Sequence, residues 1–247
     1  MKTNYKMTIS YDGTKYSGWQ SQHNTSNTIQ SKIEGVISKL CGEAVTIIGA
    51  GRTDSGVHAE GMVANVHLNM EITCDKLKNY LNKYLPADIC IKDIKEASER
   101  FHSRYNATAK LYKYSCYIGN EKPVFDRNYV YIIDKAPNID KMRQAKDLLI
   151  GTHDFKAFCG NPKFNKSSVR NIKEIKIYTE KDYLYFTYYG DGFLQNMVRI
   201  MTGTLLEIGY GEKSLSQIHD ILESKDRRNA GFMAPACGLC LMEVEYN

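Results

Sequence analysis

Apolar and polar positions alternate from Tyr5 to Tyr11, with Tyr5, Met7, Ile9 and Tyr11 on one face and Lys6, Thr8 and Ser10 on the other. A period of two marks a strand, and Asp12-Gly13 ends it. From Thr28 the period lengthens: Ile29, Ile33, Val36, Ile37 and Leu40 recur at helical spacing, with Ser26 or Asn27 as candidate N-cap and Gly42 as terminator. Val45, Ile47 and Ile48 predict a short strand, and Met62, Ala64, Val66 and Leu68 a longer one, with a glycine-rich stretch joining them. Leu77, Tyr80, Leu81, Tyr84 and Leu85 predict a second helix stopped by Pro86, and residues 89–94 a further strand. The order β-α-β-β-α-β is that of a split, ferredoxin-like unit.

The second half repeats that order in topology but not in sequence. A strand is expected at about 107–118 and a helix at 139–150, whose Met142, Ala145, Leu148 and Leu149 line one face. Strands follow at 172–179 and 183–189, then a long helix from Asp191 to Leu206, a shorter one at 214–223 and a last strand at 239–246. The fold class is therefore α+β, with two ferredoxin-like halves, residues 1–104 and 105–247, built on mainly antiparallel sheets. Trp19, the sole tryptophan, is expected as a core anchor rather than part of a ligand-facing loop.

Length and composition suit one large domain or two small ones, since 247 residues with 43% hydrophobic content can fill a core. No stretch approaches 18 uncharged apolar residues, and MKTNYKMTISYDG carries no long apolar segment after its lysines, which argues against membrane insertion and export. Seven cysteines, an odd number without framework spacing, suit free thiols in a cytoplasmic protein. A net charge of +5 says little, but its distribution says more. From Lys92 to Lys113 six basic residues face three acidic ones, interleaved with Phe101, Tyr105, Tyr112 and Tyr114, and from Asn161 to Lys176 five face one. RNA readers use that mixture of cations for phosphates and rings for bases, which makes Arg104, Lys110 and the loop residue Lys166 candidate RNA contacts. The plainer reading is a solvated strand face and a surface loop.

The stretch Gly49-Ala50-Gly51-Arg52-Thr53-Asp54-Ser55-Gly56-Val57-His58-Ala59-Glu60-Gly61 carries the chemistry-bearing residues. A dinucleotide fingerprint fails because Asp54 replaces the third glycine, and a P-loop fails because Val57-His58 follows Gly56. Two readings survive, a catalytic carboxylate steadied by Arg52 or an Asp54 that caps its own turn. A third reading, a zinc nucleobase deaminase, takes His58-Ala59-Glu60 as its His-x-Glu and Cys237 and Cys240 as its paired cysteines. An extra Ala236 separates Pro235 from Cys237, and the two halves of that motif lie at opposite ends of the chain.

GAGRTDSGVHA at 49–59 resembles the signature of the TruA family of tRNA pseudouridine synthases. So do YDGTKYSGWQ at 11–20, FHSRYNATAKLYKY at 101–114, GDGFLQNMVRIMTGTLLEIG at 190–209 and APACGLCLMEVEY at 234–246. The resemblance implies an isomerase that converts uridine to pseudouridine in the anticodon stem-loop of tRNA, at positions 38 to 40, without cofactor or metal. It also implies a homodimer, and two sheets joined so that a cleft between the halves faces the Asp54 loop. On this resemblance Asp54 is the catalytic carboxylate and Arg199 its ionic partner. Tyr112 lies near the base, and Arg52 contacts phosphate and helps hold the looped-out nucleotide. A non-catalytic RNA-binding module is the remaining alternative.

Overall fold

The alternation at the N-terminus forms β1 (Thr3–Tyr11), with Tyr5, Met7, Ile9 and Tyr11 all buried. The computed structural model describes residues 2–247. After β1 come α1 (Ile29–Cys41), β2 (Ile48–Gly49), β3 (His58–Leu68), α2 (Cys74–Tyr84) and β4 (Ile89–Ala97). The later elements are β5 (Ala107–Tyr117), β6 (Tyr131–Ile132), α3 (Ile139–Asp147), β7 (Gly151–Asp154), β8 (Val169–Glu180), β9 (Tyr183–Gly190), α4 (Met197–Tyr210), α5 (Gln217–Ser224) and β10 (Leu239–Tyr246). Ten strands and five α-helices among the described residues make this a mixed α+β protein. They fall into two compact units, one reaching to Thr108 and including Cys240–Asn247, the other Ala109–Leu239.

In the first unit β1 is central, antiparallel to β3 on one side and to β4 on the other. β2 pairs antiparallel with β3 near its middle, at Ile48 opposite Asn65, and β10 pairs parallel with its start, at Cys240 opposite His58. Thr28 caps α1, its hydroxyl accepting from the Ser31 N–H at 3.2 Å, one residue beyond the expected caps. The helix ends at Gly42 in the left-handed region (φ 72°). α2 ends where Leu85, forced extended by Pro86, takes ψ 151°. Trp19 is an anchor, buried beside Tyr11 at 6.0 Å between ring centroids.

In the second unit β5, β9, β8 and β7 form an antiparallel run in that order, with short β6 parallel to β5. α3 packs on α4 and on β8, and α4 is almost wholly buried. Two expectations need correction. α4 begins at Met197, not Asp191, because Asn196 takes a left-handed conformation (φ 60°) that no α-helix interior accepts. Leu148 is 46% exposed rather than on the buried face: it stands at the C-cap of α3, which stops at Asp147. Met142, Ala145 and Leu149 are buried.

Candidate active site

β3 starts at His58, earlier than its apolar alternation indicates, so the connection from β2 is confined to residues 50–57. Within it the Val57 N–H donates to the Asp54 carbonyl at 3.2 Å, and Gly56 takes φ 78°. That is the third residue of a type II turn, a position that asks for glycine. Asp54 therefore opens a tight turn, with its side chain only partly buried.

The turn is clamped from behind by residues 11–20. The Trp19 N–H donates to the Thr53 carbonyl at 3.1 Å, the Ser55 hydroxyl donates to the Tyr16 carbonyl at 3.0 Å, and the Tyr11 and Thr53 hydroxyls share a hydrogen bond of 2.8 Å. Gly18, at φ +92°, lies directly against the loop backbone: a β-carbon there would sit 2.7 Å from the Thr53 carbonyl oxygen. The Ala50 N–H closes the other end on the Val63 carbonyl at 2.7 Å. This support was not evident from spacing alone. Its only trace in the sequence is the density of glycine and aromatic residues at 11–20.

Arg52, two residues before Asp54, is exposed, and among the described residues its guanidinium has no ion-pair partner. Its charge is available to a polyanion. Thr53 between them is 7% exposed. The backbone therefore fixes the spacing of an outward cation and the carboxylate.

In the second unit Arg199 is 9% exposed, so it is not a helix residue whose charge simply reaches solvent. Its Nε donates to the Ala234 carbonyl at 2.7 Å, and the Ala234 N–H donates back to the Arg199 carbonyl at 3.2 Å. Tyr114 and Cys237 lie close by. Burial pushes both groups' pKa above the ordinary range, and the Arg199 charge works against that on each. The Tyr114 hydroxyl donates to the Pro235 carbonyl at 2.7 Å. Tyr112, on β5 opposite Tyr188, is 8% exposed with its ring edge-on to Phe193 at 5.1 Å. Lys110 is half-buried on the same strand; Arg104 in the first unit and Lys166 in the second are exposed.

The residues of the deaminase alternative serve other contacts. His58 is buried and its Nδ1 accepts from the Gly13 N–H at 3.1 Å. Glu60 is exposed and paired with Lys92 at 3.3 Å, and Cys237 belongs to the second unit. No group of three or more His, Cys, Asp or Glu side chains that could hold a metal ion occurs among the described residues. A cavity of about 460 Å³ in the second unit is lined by Asp147, Asp154, Glu223, His153 and His219. Three carboxylates there are unsuited to an RNA phosphate.

Comparison with known proteins bears on this arrangement. A family model described as tRNA pseudouridine synthase matches residues 7–106 and 145–247. A Clostridium kluyveri protein named tRNA pseudouridine synthase A is 47% identical over 243 residues, covering 98% of this chain and 99% of the relative. A Bacillus sp. (strain KSM-64) protein of the same name is also 47% identical over the same shares of both chains. A Clostridium perfringens protein named tRNA pseudouridine synthase A 2 is 45% identical, again over 98% and 99%.

Proposed function

The chain belongs to the tRNA pseudouridine synthase family, and from that premise we propose that it converts uridine to pseudouridine in the anticodon arm of tRNA, at positions 38 to 40, with Asp54 as the reacting carboxylate. The observation that carries the assignment is the Asp54 turn itself. A mere turn cap needs no rigid mounting, whereas this turn is held by three hydrogen bonds and a glycine contact from residues 11–20, beside an exposed arginine that has no ion-pair partner among the described residues. Rigid placement is what a reacting group requires.

The reaction breaks the bond from C1′ to N1, turns the uracil while it stays bound, and closes a bond from C1′ to C5, with the C5 proton released and a proton taken up at N1. Electrons balance within the nucleotide, so no redox partner enters. A carboxylate serves by attacking C1′ or by removing the 2′ proton, and in both cases must be ionised where RNA has displaced water. Burial disfavours that charge unless a cation compensates, which is the role we assign to Arg199. Its guanidinium is already oriented through Nε on the Ala234 carbonyl. Tyr112 is assigned to the base, where its ring stacks on uracil and its hydroxyl assists proton transfer at C5.

Reaching C1′ requires the nucleotide to leave its stack, at a cost of a few kcal/mol. Arg52 is the residue we assign to holding it out, through a phosphate. Arg104, Lys110 and Lys166 are assigned to the RNA backbone, so that recognition is by shape more than by base edges. The finer fold reading, two ferredoxin-like halves, is supported by the run β4-β1-β3-β2 in the first unit. The proposal also includes a cytoplasmic homodimer, its subunit number checked by light scattering. The test of function is tritium release from tRNA transcripts carrying C5-labelled uridine. Release at 38 to 40 without change in RNA mass is expected, and a folded enzyme that releases none, or that shifts the mass by the about one dalton of deamination, overturns the proposal.

A further inference from the structure

Between β4 and β5 lies a ring that packing does not explain. Tyr105 is 78% exposed, yet its ring is not loose: it stacks on His102 with centroids 4.2 Å apart and an interplanar angle of 30°. His102 is itself fixed. Its Nδ1 accepts from the Arg104 and Tyr105 N–H groups at 3.2 and 3.3 Å, its own N–H donates to the Asn106 side-chain oxygen at 2.7 Å, and its carbonyl accepts from the Asn106 N–H at 3.0 Å.

The turn is tied to the frame through Ser103, which is fully buried. The Ser103 N–H donates to the Asn65 side-chain oxygen at 2.9 Å, its hydroxyl donates to the Ile48 carbonyl in β2, and its carbonyl accepts from the Tyr246 hydroxyl at 2.7 Å. β2 leads through residues 50–53 to Asp54, so the same short strand is joined to both turns. Arg100 and Arg104 are exposed on either side of His102, and neither has an ion-pair partner among the described residues. Phe101 packs against Tyr246 at 5.1 Å, which leaves Tyr105 as the exposed ring of a segment that also carries two exposed arginines.

We propose that Tyr105, backed by His102, is a stacking platform for an unpaired base of the RNA substrate, with Arg100 and Arg104 holding the flanking phosphates. The inference rests on the proposed function only for the identity of that RNA. A ring with one face covered and the other open offers a π-surface to any base, and fixing it in advance removes the entropy lost when a loose side chain is ordered on binding. An apolar peptide finds no second pocket there, whereas a polyanion with exposed bases meets both the charge and the ring.

The experiment uses anticodon stem-loop RNAs with 2-aminopurine placed singly at each loop position, bound by the parent, Tyr105→Ala and Tyr105→Phe proteins. One position is expected to be quenched by the parent and by Tyr105→Phe but not by Tyr105→Ala. Affinity should fall about tenfold in the alanine variant and be restored by phenylalanine. In tritium release the alanine variant should raise KM more than it lowers kcat. The proposal is overturned if no position shows quenching that depends on Tyr105, or if the alanine variant binds within twofold of the parent. Tritium release by the parent reports on the proposed function separately, since the quenching experiment needs no turnover.

Discussion

Gly18 touches no substrate in the proposed mechanism, yet its replacement by alanine should damage catalysis through the Asp54 turn. The added methyl stands 2.7 Å from the Thr53 carbonyl oxygen and 3.2 Å from the Asp54 carbonyl carbon, where ordinary contact begins at 3.4 Å. Restoring contact with the carbonyl oxygen requires a shift of about 0.7 Å. The Trp19 N–H bond to the same oxygen prevents the two segments from simply backing away from each other. Alanine must also adopt φ near +92°, which costs about 1–2 kcal/mol.

Gly42 separates the two effects. It too has positive φ, +72°, but nothing lies within 4 Å of a β-carbon there. Gly42→Ala should therefore show the backbone cost alone, a melting temperature lower by about 2–8 °C at a cost of that size, with kcat unchanged. Gly18→Ala should show a comparable or larger drop in melting temperature together with a fall in kcat of about 10- to 100-fold, because a misplacement approaching 1 Å at a reacting group costs about 100-fold. Differential scanning fluorimetry and tritium release on the same preparations measure both. If Gly18→Ala melts like Gly42→Ala and keeps kcat within twofold of the parent, the clamp does not position Asp54 and the reasoning is wrong.

The remaining predictions concern groups assigned to the chemistry. Asp54→Asn keeps the turn-capping oxygen and should fold and bind tRNA while tritium release drops to background; release near the parent rate removes Asp54 from the mechanism. Tyr112→Phe keeps the ring against Phe193 and should bind tRNA as the parent does, while turnover falls by about 100-fold or more if the hydroxyl transfers a proton; unchanged turnover reduces it to a stacking residue. Binding to tRNA should weaken steeply from about 50 to 200 mM salt, and Arg52→Ala should lower the slope of log affinity against log salt by about 0.7–0.9, one phosphate contact. An unchanged slope in that variant places Arg52 off the RNA backbone.

The elements carried by local periodicity were legible in the sequence. β1, α1, α2 and β9 stand close to where alternation and helical spacing put them, because one face of each is buried and the other solvated. What was not legible depends on partners distant in the chain. His58 to Gly61 read as loop because they end a glycine-rich stretch, but they are strand: β10, from the other end of the sequence, pairs with His58 and Ala59, and β1 pairs with Ala59 from the other side. The start of α4 was misplaced because Phe193, Leu194 and Met197 keep helical spacing. Leu194 and Met197 are buried and Phe193 meets Tyr112, yet the intervening backbone turns, held by the Gly160 N–H on the Gln195 carbonyl at 2.8 Å.

The residues proposed for the site are legible in the sequence as residues, but their mounting is not. Asp54, Arg52, Tyr112 and Arg199 stand in motifs that any reading of this chain would mark, but nothing local says what holds them. In each unit the answer is a second motif. Residues 11–20 clamp the turn at Thr53 and Ser55, while Ala234, which begins the last motif, exchanges two hydrogen bonds with Arg199. Motif residues outside the proposed chemistry thus acquire a physical role. The carbonyls and amides of Tyr16, Trp19 and Ala234 serve as fixed hydrogen-bond partners, so their side chains can vary only as far as the backbone stays in place. Gly18 and Gly56 cannot vary even that far, since one lies against the Thr53 carbonyl and both require positive φ. On the proposed mechanism a carboxylate that reacts with a nucleotide forced out of its stack must not yield when the nucleotide arrives, and the hydrogen bonds from residues 11–20 are the backbone support that keeps it still.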